Sequence, residues 1–101
     1  MIKVRESIIE KRLKKEIELI GGKALKFISP GNSGVPDRIV LLPGGRIIFI
    51  ELKAPGEKPS ALQRYRAKQL RTLGFEVRCI DSIEGVQAFI SEVITNDIPS
   101  T

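Results

Sequence analysis

Apolar and polar residues alternate along this chain in two distinct periods. Between residues 4 and 20 (VRESIIEKRLKKEIELI), Ile9, Leu13, Ile17 and Ile20 recur at helical spacing and form one apolar stripe, which Gly21-Gly22 stops. Residues 24–29 (ALKFIS) read as a short strand, and PGNSGVP at 30–36 reads as a loop. Two more strands are predicted over 37–42 (DRIVLL) and 46–53 (RIIFIELK), with Pro43-Gly44-Gly45 between them predicting a hairpin. A second loop, APGEKP at 54–59, leads to Ser60, and Ser60 with Gln63 completes a capping box. The helix it opens runs to about Leu73 and ends at Gly74. Residues 76–81 (EVRCID) read as a strand. Asp81 or Ser82 caps a last helix over roughly 83–94, with Val86, Phe89, Ile90 and Val93 inward. The order αβββαβα predicts an α/β fold, a mixed sheet with flanking helices. The passage from strand 46–53 to strand 76–81 would be a right-handed crossover.

The strand over 46–53 is where pattern and chemistry meet. Ile47, Ile48, Phe49 and Ile50 are apolar on both faces, as in a central strand covered on both sides, yet the strand ends in Glu51-Leu52-Lys53. Alternation puts Glu51 and Lys53 on one face with Ile47 and Phe49, and Leu52 on the other. Buried charges at a strand end need each other, a metal or a ligand. The hairpin runs antiparallel, so Asp37, at the start of its first strand, falls beside Glu51 and Lys53. Two convergent carboxylates form a site for a hard cation, with the backbone carbonyl of Leu52 as a further oxygen. Such a cation would activate a water and polarise a phosphoryl oxygen, and Lys53 would orient that water or stabilise the phosphate charge. Each residue has a plainer explanation as well. Asp37 suits a turn, and Glu51 and Lys53 could be a solvated pair.

Two more residues join the candidates. Glu6 sits near the centre of the apolar stripe of the first helix, which breaks the pattern. Either it suits the helix dipole in the first turn, or it reaches the metal site directly or through water, with Glu10 as the alternative. Gln63 is explained by the capping box, and it also follows Glu51-Leu52-Lys53 by only one loop.

Composition narrows the chemistry. The 101 residues suit a single domain over 1–101, with 95–101 as a flexible tail. There is no histidine, which excludes a Ser-His-Asp triad, an HExxH zinc site and a histidine base. Cys79 is the one cysteine, so zinc is disfavoured and no internal disulfide forms, as suits a reducing cytoplasm. Any catalytic metal must then rest on oxygen ligands, which suits Mg²⁺ or Mn²⁺. No apolar run approaches the ~18 residues of a membrane span, and the charged N-terminus does not read as a signal peptide. The net charge of +5 favours a polyanionic partner. Arg38, Lys11, Lys14, Lys15, Lys58, Arg64 and Lys68 are the candidate DNA contacts. Tyr65 alone offers an aromatic outside the expected core, so recognition by backbone and shape is expected.

Gly34-Val35-Pro36-Asp37, Glu51-Leu52-Lys53 and Ser60-Ala61-Leu62-Gln63 together resemble the VRR-NUC family of the PD-(D/E)xK nuclease superfamily. The likeness runs from about Glu6 to about Asp81 and includes Gly21-Gly22 and Lys26-Phe27. The resemblance implies a restriction-endonuclease-like core that hydrolyses phosphodiester bonds with Mg²⁺ or Mn²⁺. By position, Asp37 and Glu51 would be metal ligands and Lys53 the catalytic lysine. Glu6 matches the first-helix acid, and Gln63 the glutamine after the central motif. Stand-alone members of this length are similar to phage or bacterial Holliday-junction resolvases that act as homodimers. The expected protein is thus a structure-specific endodeoxyribonuclease of a bacterial or phage-infected cytoplasm. Two rivals are a non-catalytic nucleic-acid-binding module on the same fold, and a regulatory domain whose Glu51-Lys53 pair is structural.

Overall fold

The structure, a computed structural model, describes residues 5–96. Helix α1 spans Glu6–Leu19, and strand β1 spans Lys23–Lys26. Strands β2 (Arg38–Leu42) and β3 (Arg46–Leu52) form the expected hairpin around Pro43-Gly44-Gly45. Helix α2 (Ala61–Thr72), strand β4 (Glu76–Ile80) and helix α3 (Ile83–Asn96) complete the order read from the sequence. The four strands lie in the order β1-β2-β3-β4. The first two pairings are antiparallel and β3 to β4 is parallel, as a crossover through α2 requires.

Local chemistry sets the boundaries. α1 ends where Gly21 takes φ +88°, a conformation that costs glycine little. Ser60 and Gln63 form the reciprocal capping box at the start of α2. Of the two candidate caps for α3, Ser82 is the one used, its Oγ accepting from the Gly85 N–H at 2.8 Å. Two boundaries depart most from expectation. β1 stops at Lys26 although the Phe27 N–H still bonds the Asp37 carbonyl at 2.9 Å. α3 continues through Thr95 and Asn96, which were read as tail. Val4 of the first expected helix and residues 97–101 of the expected tail lie outside the described residues.

One face of the sheet carries the main core. Ile9, Leu13 and Ile17 of α1 meet Val86, Phe89, Ile90 and Val93 of α3 over Val40, Leu42, Ile48, Ile50, Leu52 and Ile80. The other face holds Phe49 between Phe27 and Phe75, with ring centroids 5.6 and 5.7 Å away. Helix α2 packs on this second face against β4, and none of its residues is fully buried. The expected double coverage of β3 therefore holds only toward its end. Ile47 is 41% exposed and its β2 neighbour Leu41 is 37% exposed. A helix of twelve residues is about 18 Å long and one helix wide, too narrow to roof four strands. No helix among the described residues is long and apolar enough to cross a membrane.

Candidate active site

The register of the hairpin brings the two carboxylates together. Arg38 pairs with Ile50, so the next step outward sets Asp37 against Glu51. Asp37 is held there by its neighbours. Its Oδ1 accepts the Leu52 N–H at 3.1 Å, and its Oδ2 lies 3.4 Å from Nη1 of Arg38. Glu51 and Lys53 share the face predicted by alternation, with Nζ of Lys53 4.0 Å from Glu51 Oε1.

Gln63 resolves its ambiguity by serving both ends at once. Its Oε1 accepts the Ser60 N–H at 2.9 Å, closing the capping box, and its Nε2 donates to Glu51 Oε1 at 2.9 Å. One planar amide thus links the start of α2 to the carboxylate of β3. The other Glu51 oxygen, Oε2, is buried and has no hydrogen-bond partner among the described residues. A carboxylate that is 8% exposed and half satisfied is costly. Burial first, then the charge of Asp37, push the Glu51 pKa up to about 7 against a partial pull from Lys53, and Glu6 adds a further push. This orphaned anionic oxygen, opposite a second carboxylate, fits a hard divalent cation by the chemistry of its donors.

The first helix supplies one acid to this end of the sheet and withholds the other. Glu6 is half-buried in the first turn of α1, near enough for its charge to act on Glu51. Among the described residues no group of three acidic or cysteine side chains is gathered to hold a metal, so Asp37 and Glu51 stand as a pair with Glu6 nearby. Glu10, the alternative first-helix acid, is engaged elsewhere, with Oε2 2.6 Å from Nη2 of Arg38.

Arg38 departs from expectation as a DNA contact. It is 8% exposed, on the β2 face that also carries Val40 and Leu42, and its guanidinium is spent on Glu10, on the Asp37 carboxylate and on the Asp37 carbonyl at 2.8 Å. The other expected contacts are exposed. They divide between two layers, with Lys11, Lys14 and Lys15 on α1, and Lys58, Arg64 and Lys68 on or before α2. Tyr65 is exposed on α2, beside the guanidinium of Arg66.

Sequence reasoning missed what steadies the loop that delivers Asp37. Nε of Arg66 donates to the Ser33 carbonyl at 3.0 Å, and Gly34 takes φ +87° against Leu62. A Cβ at Gly34 would meet Leu62 Cγ at 2.7 Å, so only glycine lets the loop lie on α2. Replacing Gly34 by alanine is expected to cost about 2 kcal/mol in urea unfolding. It should also lower activity about tenfold by shifting Asp37. Retained activity and stability would show that the loop is not fixed by this contact. The sequence did show a glycine three residues before Asp37, but not what it lies against.

Three comparisons complete the picture. No protein-family profile matches the chain. The chain is 54% identical over 79 residues to a protein named "Putative nuclease p44" from Acyrthosiphon pisum secondary endosymbiont phage 1, covering 78% of this chain and 85% of that one. A solved structure named "VRR_NUC domain" superposes with a TM-score of 0.80 at 31% identity, over 87% of this chain and 97% of its own. A second, named "VRR_NUC domain protein", gives 0.69 at 16% identity over 93% and 91%, a likeness of fold.

Proposed function

Because this chain belongs to the VRR_NUC domain family, we propose that it is a structure-specific DNA endonuclease that hydrolyses phosphodiester bonds. The observation that carries the proposal is the unpartnered Glu51 oxygen, buried opposite Asp37 and beside Lys53. Asp37 and Glu51, with the Leu52 carbonyl and Glu6 directly or through water, would hold Mg²⁺ or Mn²⁺. That ion would supply Lewis-acid activation of the phosphoryl group and of a water. The chain's own groups do the rest. The Leu52 N–H and Arg38 fix the Asp37 carboxylate in place, and Gln63 fixes Glu51. Lys53 holds its ammonium 4.0 Å from Glu51, where it would orient the attacking water and stabilise charge on the phosphate oxygens.

The net charge of +5 supports a DNA substrate, and the expected recognition by backbone and shape favours branched DNA, a four-way junction first. A second copy of the chain would set two sites against two strands. In support, Leu25, Leu41, Ile47 and Phe75 leave exposed apolar side chains on the side of the sheet that carries Glu51.

Incubation with a labelled four-way junction, a flap and a linear duplex, in Mg²⁺, Mn²⁺ or EDTA, tests the activity. Cutting is expected with either metal and absent in EDTA, preferring the junction. Lys53→Ala should lower the rate about 100-fold. No cutting of any substrate, or a Lys53→Ala protein as active as the parent, would sink the nuclease reading, and binding without cutting would favour a non-catalytic module. Mass in solution at micromolar concentration tests the dimer. Ile47→Glu should halve the mass without unfolding the chain, and an unchanged mass would place the interface elsewhere.

A further inference from the structure

Glu51 and Gln63 also line a cleft of about 190 Å³ whose other lining residues the proposed hydrolysis does not use. It lies between α2 and β4. Pro36, Pro59, Ala67 and Val77 give it apolar walls. Three arginines line it as well, of which Arg78 on β4 is paired with Glu76 and Glu92 and the other two belong to α2. Arg64, Ala67 and Arg71 follow at i, i+3 and i+7, so one face of α2 presents a cation, a gap and a cation. The gap exists because Ala67 is small.

Both α2 arginines are fixed. Nη1 of Arg64 donates to the Pro59 carbonyl at 2.8 Å, and Nη2 of Arg71 donates to the Val77 carbonyl at 3.0 Å. A guanidinium has five N–H donors, so each retains several for a ligand. Both side chains are exposed as well as anchored, so the remaining donors are open to a ligand. A cleft of this size suits one flat ring system. Flat guanidinium planes and proline rings offer it faces to stack on.

We propose that this cleft receives one unpaired base of the strand being cut, next to the phosphate at Glu51, while Arg64 and Arg71 grip the flanking phosphates. The inference rests on the nuclease reading and deepens it. A base can enter only after leaving its stack, which costs a few kcal/mol in intact duplex and much less at a mismatch or branch. The cleft would thus be the device that prefers branched or mispaired DNA.

The test uses the wild-type chain first. A fluorescent 2-aminopurine is moved one nucleotide at a time across the cut site of a junction, with Ca²⁺ in place of Mg²⁺ to prevent cutting. Emission should rise several-fold at one position within two nucleotides of the cut. A mismatch at that same position in linear duplex should speed cutting roughly 10–100-fold, and mismatches elsewhere should not. In Ala67→Trp, whose indole would fill the cleft, the rise should vanish while thermal melting stays that of the parent. Cutting without brightening at any position, no dependence on mismatch position, or undiminished brightening in a folded Ala67→Trp protein each overturns the cleft assignment and leaves the nuclease reading standing. Brightening that vanishes in Ala67→Trp, on DNA that is never cut in Mg²⁺ or Mn²⁺, supports the cleft and overturns the nuclease.

Discussion

Glu51→Gln is expected to abolish cleavage, by about a thousandfold or more, and at the same time to make the protein more stable above neutral pH. Both results come from one feature, a carboxylate buried with one oxygen unsatisfied. An amide cannot complete the anionic pair with Asp37, so the activity goes. The stability effect follows from the pKa, raised from 4.5 to about 7 by burial and then by Asp37. The folded chain binds this proton more tightly than the unfolded chain does. Below about pH 4.5 both states carry it, and this group costs nothing. As pH rises from 4.5 through about 7, the unfolded state loses the proton first and stability falls. Above 7 the full penalty is present, at most about 3 kcal/mol for that shift. Part of the gain is lost to the buried amide nitrogen of the variant, so a rise of about 2 kcal/mol at pH 8 is expected. Thermal melts at pH 4.5, 6 and 8 check it. The parent should lose stability across that range relative to the variant, and Mg²⁺ should stabilise the parent at pH 8 but not the variant. Parallel curves for the two proteins would show that Glu51 is well solvated. A variant that still cuts DNA would remove Glu51 from the site.

The opposition of Asp37 and Glu51 at the candidate site was legible because it depends on local rules. Pro43-Gly44-Gly45 sets the hairpin, and a hairpin's register is arithmetic, so Asp37 had to face Glu51. Alternation put Lys53 with Glu51, and the capping box fixed the start of α2. What could not be read depends on which elements pack where. Gln63 was weighed as either cap or site residue. It is in contact with both because α2 begins directly above the end of β3, a distance that no sequence pattern encodes. The Ile47-to-Ile50 run suggested cover on both faces, but a narrow α2 covers only part of one face, and Ile47 and Leu41 remain exposed. The arginines at 64 and 71 share a helical face, which is visible in the sequence. That the face borders a cleft is visible only in the fold. Arg38 is the instructive miss. Period two from Val40 and Leu42 puts it on the inward face, where an arginine is unusual.

Arg38→Ala should therefore act on stability and catalysis, and leave the salt dependence of DNA binding alone. Its guanidinium bridges Glu10 of α1, 2.6 Å away, to the backbone and carboxylate of Asp37. Removing one partner of a buried ion pair leaves the other's charge unmatched and typically costs 3–5 kcal/mol. Glu10 is half-buried and can recover some water, so the lower end is expected, about 3 kcal/mol by urea unfolding. Asp37 would keep the Leu52 N–H as its anchor and lose the other side of its cradle. A carboxylate free to rotate is misplaced in most of its conformers, so kcat should fall about 100-fold while affinity for DNA changes little. Arg38→Lys should restore part of the stability and little of the activity, because an ammonium cannot reach Glu10 and both Asp37 acceptors together. Lys14→Ala, on the exposed face of α1, gives the contrast. If α1 touches DNA, that change should reduce the salt slope of binding by about one and leave kcat and stability alone. An Arg38→Ala protein that reduced the salt slope with kcat intact would return Arg38 to the phosphate backbone. The pattern expected instead makes it the residue that ties the first helix to the catalytic carboxylate, a positioning role in which its charge never meets the substrate.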